Sequence, residues 1–129
     1  MTKILEIAVE ITDSVSVKGQ QNSINMLSFT GEAAGDYFHG RIIGTGVDTQ
    51  KISSDGTAFL SARYMLQGKD YTGEDCRIFI ENNGSDLSCC KPSIVTDSKA
   101  LGNWETAELR AEVVPAEKGV TVFIFKEEQ

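Results

Sequence analysis

The sequence is poor in the residues that metal sites and disulfide frameworks require. It has one histidine and three cysteines, Cys76, Cys89 and Cys90, none of which has the C-x₂-C spacing of common zinc sites. An odd number of cysteines with a vicinal pair is not typical of a secreted disulfide framework. Ordinary reduced thiols are the simplest interpretation, and a Cys89–Cys90 ring or a reactive thiol is the alternative.

The signature motifs of several enzyme classes are also absent. The chain has no G-x-S-x-G motif, no P-loop and no G-x-G-x-x-G after a predicted strand. Gly44-Thr45-Gly46 is short and lies between strands, so it is interpreted as a turn. A Ser-His-Asp triad would have to use His39. We therefore expect no metal and no cofactor, and the sequence leaves open whether the protein is an enzyme.

Positive charge and long apolar runs are scarce as well. Lysine and arginine total 12 against 19 acidic residues, a net charge of −7, and they form no basic block. This balance argues against nucleic acid and against an anionic membrane surface as partners. No run approaches the roughly 18 apolar residues of a membrane helix. Glu6 and Glu10 interrupt the apolar N-terminal residues, and a signal peptide needs an uninterrupted apolar segment. We therefore expect a cytoplasmic protein.

What the sequence does contain is short runs in which apolar residues alternate with period two. They lie at about residues 3–11, 24–30, 37–43, 47–53, 57–66, 77–81, 93–96, 104–114 and 120–126. No run shows the 3.6-residue period of a helix. In the first run Leu5, Ile7, Val9 and Ile11 share one face. Links rich in Gly, Asn, Asp and Ser separate the runs, and Asp55-Gly56 is typical of a hairpin turn.

This pattern predicts one all-β domain over residues 1–129. About nine strands joined by short links favour antiparallel neighbours. A closed barrel removes exposed sheet edges, so the prediction is a small, mostly antiparallel, lipocalin-like barrel of eight to nine strands. An odd strand would leave an unclosed edge that could pair with a second copy of the chain. The sequence therefore suggests a possible homodimer.

The centre of the chain carries motifs of a known family. They are FHGRI at 38–42, GTGVDTQ at 44–50, DGT at 55–57 and SARY at 61–64, with an Asn-x-Gly strand end at 82–84. Together they resemble the domain of unknown function 3237 family. Asp48 and Gln50 match its pattern, whereas Thr49 replaces the usual Trp. Trp104 lies where the family has an aromatic-Trp-Leu segment, with Glu105 in place of Leu.

The resemblance covers about residues 24–125 and implies a barrel like those of lipocalins and allene oxide cyclase. It implies little about function, because the family is uncharacterised, and a barrel by itself does not define chemistry.

Strand alternation suggests a candidate polar cluster. His39 and Arg41 share one strand face, and Asp48 and Gln50 share another. One hypothesis is that His39, Asp48, Gln50 and Arg63 meet inside the barrel, where Arg63 would need Asp48 or Glu81 as a counter-charge. His39 would then be suited to proton transfer near neutral pH. The alternative is that these residues, and Trp104 as a core plug, have structural roles.

Three functions remain open from the sequence. The first is a barrel that binds a small apolar or aromatic molecule in its mouth, with His39, Arg41, Asp48, Gln50, Arg63, Glu81 and Trp104 as candidate ligand-binding residues. The second is a cofactor-free isomerase or cyclase that uses His39 or Asp48. The third is a structural or assembly module whose barrel is filled with apolar side chains.

Overall fold

Eight strands and one short helix make up the regular secondary structure of the described residues. The structure is a computed structural model that describes residues 1–86 and 90–128. The strands are β1 (Thr2–Lys18), β2 (Asn22–Ala34), β3 (Phe38–Ser53), β4 (Ala58–Asp70), β5 (Asp75–Gly84), β6 (Cys90–Thr96), β7 (Leu109–Ala116) and β8 (Gly119–Lys126), with a 3₁₀ helix at Gly102–Glu105. Cys76 and Cys90 are buried. Cys89, and with it the hypothesis of a Cys89–Cys90 ring, lies outside the described residues.

Each strand pairs antiparallel with the next along the chain, and β1 also pairs with β8. The result is a closed eight-stranded barrel, which confirms the predicted all-β antiparallel fold. Among the described residues, the pairing of β6 with β7 is the shortest in the barrel and consists of the bridge between Cys90 and Ala111. Closure removes the unclosed edge on which the expectation of a homodimer rested.

The barrel has eight strands, within the predicted eight to nine, because two of the nine runs belong to one strand. The runs at 37–43 and 47–53 form β3, and the register with β4 shifts between Ile43 and Val47. Gly44 has a φ of +63° in this bulge, a conformation that glycine adopts without a steric penalty. The bulge bends the strand, and both of its halves stay paired with β4.

Strand β1 extends further than its hydrophobic pattern. The alternation of Leu5, Ile7 and Val9 places these side chains in the core, as predicted. Beyond them, residues 13–18 continue the ladder with β2 although Val15 and Val17 are exposed. This part of the hairpin extends beyond the core and is held by backbone hydrogen bonds. The burial of an apolar face therefore does not mark the end of β1.

One end of the barrel is closed by the link between β6 and β7. This link contains the 3₁₀ helix, in which Trp104 is buried in the core, and Leu101 immediately before the helix is buried as well. The Ser98 hydroxyl donates to Asp70 Oδ2 at 2.7 Å and accepts from the Leu101 backbone N–H at 3.1 Å. The expectation that Trp104 begins a strand was wrong, because the chain turns here to cover the barrel end.

Across the described ranges 1–86 and 90–128, none of the helical structure is long and apolar enough to cross a membrane.

Candidate functional site

The opposite end of the barrel contains a cavity of about 220 Å³. It lies toward the turns that join β1 to β2 and β3 to β4, away from the helix-covered end. Most of its wall is aliphatic or aromatic, and includes Ile11, Leu27, Phe29, Leu60, Val113 and Val122. Four polar side chains also line it, Asp48, Gln50, Tyr64 and Asn82. An apolar cavity with a few polar groups is the usual form of a small-molecule site.

Three neighbouring strands hold two of these polar residues at one level of the barrel. Asp48 on β3 is directly opposite Ala62 on β4, and Ala62 is directly opposite Asn82 on β5. Side chains opposite each other across two strands stand roughly 5 Å apart at Cβ. The methyl group of Ala62 is small, so space remains between the carboxyl of Asp48 and the amide of Asn82.

Asp48 is half-buried and hydrogen-bonded within this cavity. The Gln50 Nε2 amide, two residues along the same strand face, donates to Asp48 Oδ2 at 3.0 Å. Removal of the carboxyl from water raises the pKa of Asp48, and the Gln50 hydrogen bond opposes this effect only in part. The site therefore contains a carboxyl group that holds its proton more readily than an exposed aspartate.

Tyr64 and Asn82 each bury a polar atom without a partner. Their exposed fractions are 4% and 7%, and neither the Tyr64 hydroxyl nor Asn82 Oδ1 forms a hydrogen bond with any described residue. An unsatisfied buried polar atom costs roughly 1–3 kcal/mol. Burial also raises the pKa of Tyr64 above its ordinary value, so its hydroxyl stays protonated and can donate. Both residues belong to the lining of the cavity.

The floor of the cavity is aromatic. The rings of Phe29 and Tyr64 meet edge to face, with 5.5 Å between centroids and 71° between planes. Aromatic pairs favour this arrangement. Gly46, opposite Phe29 on β3, leaves room for this ring, because a Cβ there would lie 2.4 Å from it.

The structure brings together only part of the predicted polar cluster. Asp48 and Gln50 meet inside, as the shared strand face predicted. Arg63 does not join them, because it alternates with the inward-facing Ala62 and Tyr64 and points outward. Its side chain is 65% exposed and lies 3.4 Å from Glu81. The interior position proposed for Arg63 was therefore wrong, although its pairing with Glu81 is as suggested.

The remaining candidates also lie away from the cavity. His39 and Arg41 are exposed, because they alternate with the buried Phe38 and Ile42. The hypothesis that His39 joins Asp48 inside the barrel was therefore wrong. Arg41 lines a separate outer groove beside β1 and β8. Trp104 packs at the closed end, with its ring edge to face with Tyr37 at 6.1 Å.

Sequence reasoning did not select Tyr64 and Asn82 as site residues, although one signal pointed to Tyr64. The Asp55-Gly56 turn sets Ile52 opposite Ala58, and counting back places Asp48 opposite Ala62. Tyr64, two residues beyond Ala62, must then share the face of Asp48. Asn82 depends on the register between β4 and β5, for which the sequence contains no comparable two-residue turn.

A metal centre has no support among the described residues. No group of three His, Cys, Asp or Glu side chains in residues 1–86 and 90–128 lies close enough to hold an ion.

Comparisons with known proteins identify relatives and a shared fold. The family described as "Protein of unknown function (DUF3237)" matches residues 1–89. A UPF0311 protein of Clostridium acetobutylicum is 35% identical over 68 residues, which are 53% of this chain but only 39% of that relative's length.

Two solved structures superpose over nearly the whole chain. A protein with unknown function from Clostridium acetobutylicum has a TM-score of 0.82 at 19% identity, covering 98% of this chain and 97% of its own. An enzyme from Penicillium herquei has a TM-score of 0.78 at 15% identity, covering 97% and 92%. At these identities the likeness shows the fold alone.

Proposed function

This chain belongs to the DUF3237 family of proteins of unknown function, and we propose that its barrel binds a small, mainly apolar molecule in the cavity between Asp48, Tyr64 and Asn82. The observation that carries the proposal is the pair of buried atoms without partners among the described residues, the Tyr64 hydroxyl and Asn82 Oδ1, in a mainly apolar cavity. A ligand that bonds to both removes a penalty that the empty barrel bears. The partner is thus a small molecule held in the barrel mouth, as in a lipocalin-like binding protein.

The size of the cavity supports a compact ligand. An apolar cavity of about 150 Å³ is known to admit benzene, and this one measures about 220 Å³. A structural module would be expected to fill the same space with Leu, Phe and Val side chains. Here Ala62 is small, and Asp48 and Asn82 beside it are polar, which favours binding over the filled-barrel alternative.

Filling the cavity from its wall tests the proposal. Ala62→Leu adds a larger apolar side chain between Asp48 and Asn82, and Arg63→Ala is the matched control on the outer face of the same strand. In a thermal-shift screen against single-ring compounds, we expect hits that stabilise wild type and Arg63→Ala but not Ala62→Leu. Circular dichroism of Ala62→Leu without ligand establishes that it folds. Stabilisation of a folded Ala62→Leu by the same compounds would place the binding elsewhere and overturn the proposal.

A second candidate function is a cofactor-free isomerase or cyclase with Asp48 as the proton-transfer group. It is favoured by the raised pKa of Asp48 in the cavity, because carboxyl groups in clefts whose pKa is shifted are often catalytic. The similarity in fold to an enzyme from Penicillium herquei is consistent with it. His39 has no part in this version, since it is exposed on the outer surface.

Proton transfer can be measured directly. A bound compound with an acidic C–H bond should exchange deuterium from D₂O faster with wild type than with Asp48→Asn, at equal occupancy, as followed by proton NMR. Arg63→Ala should exchange at the wild-type rate. Equal exchange rates for wild type and Asp48→Asn would leave binding as the function.

Two further properties remain part of the proposal, a cytoplasmic location and a homodimer. With the barrel closed, a dimer would have to use outer side chains such as Met26 and Phe59, which are exposed. Sedimentation velocity distinguishes a monomer from a dimer. If the dimer uses this outer surface, Phe59→Ser should shift the protein to the monomer.

A further inference from the structure

We infer that the ligand of this cavity is uncharged and presents a hydrogen-bond donor to Asn82 Oδ1, which excludes carboxylates and other anions. The inference rests on the proposed function and narrows its ligand class. It follows from the hydrogen-bonding groups on the cavity wall and from the position of every charged side chain near it.

Among the described residues that line the cavity, the buried polar atoms without a hydrogen-bond partner are Asn82 Oδ1 and the Tyr64 hydroxyl. Asn82 Oδ1 is a pure acceptor, and an ionised Asp48 carboxyl can only accept. The Tyr64 hydroxyl can donate or accept, and the Gln50 Nε2 amide already donates to Asp48 Oδ2 at 3.0 Å. A ligand that only accepts would leave Asn82 Oδ1 buried and unsatisfied. A ligand with an O–H or N–H group satisfies it, and can accept from Tyr64 through the same oxygen.

The cavity wall offers an anion no counter-charge. Its described lining contains no Lys, Arg or His, and Arg63, the nearest arginine along β4, points outward to Glu81. Asp48 is the one ionisable carboxyl among the described lining residues, so it would repel a bound anion at short range. A carboxylate would also lose its hydration on entering an apolar space.

A cation is disfavoured for a different reason. Asp48 Oδ2 already accepts a hydrogen bond from the Gln50 amide at 3.0 Å, so the carboxyl is partly satisfied before a ligand enters. An ammonium ion would leave water for a cavity whose wall is mostly aliphatic and aromatic, with that one partly satisfied carboxyl as its partner. The uncharged donor avoids both penalties and still reaches Asn82.

Four probes of nearly equal size and different polarity test the inference: toluene, benzyl alcohol, benzylammonium and benzoate. Their Kd values are measured by NMR titration of the intact protein at pH 7. One net hydrogen bond is worth roughly a 3- to 10-fold change in Kd, so benzyl alcohol should bind about that much more tightly than toluene. Benzylammonium should bind more weakly than benzyl alcohol, and benzoate should not bind measurably.

Two variants identify the acceptor. Asn82→Leu, close in shape to asparagine, should lower the affinity for benzyl alcohol to that for toluene, without weakening toluene itself. Asn83→Leu, the next residue on the opposite face of β5, should leave the ratio of the two affinities unchanged. Both variants are first checked for native circular dichroism.

The outcomes separate this inference from the function on which it rests. If none of the four probes shifts the resonances of the cavity residues, both the donor inference and the proposed binding function are overturned. If toluene binds but benzyl alcohol gains nothing over it, or if benzoate or benzylammonium binds best, cavity binding survives and the donor inference is overturned. A ratio that persists in Asn82→Leu overturns the assignment of the donor to Asn82.

Discussion

The ring of Phe29 occupies the space that a side chain at Gly46 would need. A Cβ at position 46 would come within 2.4 Å of the ring, and the ring is held on its other side by Tyr64. The absence of a side chain at position 46 therefore leaves room for the Phe29 ring, which lines the cavity.

Gly46→Ala should be destabilising and should also impair binding. The added methyl group pushes the Phe29 ring toward the cavity, and overpacking of this kind typically costs about 1–3 kcal/mol. Urea denaturation measures the loss, and the affinity for benzyl alcohol should fall with it. Gly102→Ala is the control, because a Cβ there meets no atom within 4 Å. Equal stability of Gly46→Ala and wild type would mean that the ring moves freely.

Tyr64→Phe should separate stability from binding. The Tyr64 hydroxyl has no partner among the described residues, so its removal should leave the free energy of unfolding of the ligand-free protein unchanged or raise it by up to about 1 kcal/mol. The affinity for benzyl alcohol should fall, because the ligand loses a donor. A loss of stability above about 1 kcal/mol without ligand would instead assign the hydroxyl a structural role.

Asp48→Asn should become more stabilising as the pH rises. Burial raises the pKa of Asp48 in the folded protein, so the folded state binds its proton more tightly than the unfolded state does. The stability that this proton supplies is complete below the unfolded pKa, and it is lost as the pH rises through the folded pKa. Urea unfolding of both proteins at pH 4 and pH 7 checks this sign. A variant that gains no stability relative to wild type between these pH values would contradict it.

Asp70→Asn should show the opposite dependence. Hydrogen bonds from the Thr72 and Ser98 side chains lower the pKa of Asp70. The carboxylate therefore stabilises the fold above its unfolded pKa, and this contribution is lost as the pH falls through the lower folded pKa. Between pH 7 and pH 3 wild type should lose more stability than Asp70→Asn. Asp36→Asn, at an exposed position, is the control and should follow wild type.

Arg63→Ala should change little. The Arg63–Glu81 pair is exposed, and such pairs contribute roughly 0–1 kcal/mol. Thermal unfolding should show a small shift, and the affinity for benzyl alcohol should equal that of wild type. A large loss of either would indicate that the Arg63 side chain acts through the barrel wall.

The sequence by itself determined the strands and much of their pairing. The alternation of Leu5, Ile7 and Val9 predicted a buried strand face, and Asp55-Gly56 predicted the hairpin that sets Asp48 opposite Ala62. The shared face of Asp48 and Gln50 follows from the same period of two. These features are local, so a few neighbouring residues suffice to specify them.

Only the tertiary structure decided which face of each polar strand lies inside. Along β4, Arg63 alternates with Ala62 and Tyr64, and alternation tells which side chains share a face but not which face the closed barrel encloses. That choice depends on the joint burial of all eight strands, since each strand's inner face is set by the neighbours that cover it. For the same reason only the closed barrel defines the position of Trp104 at one end and, at the other, the cavity lined by Asn82.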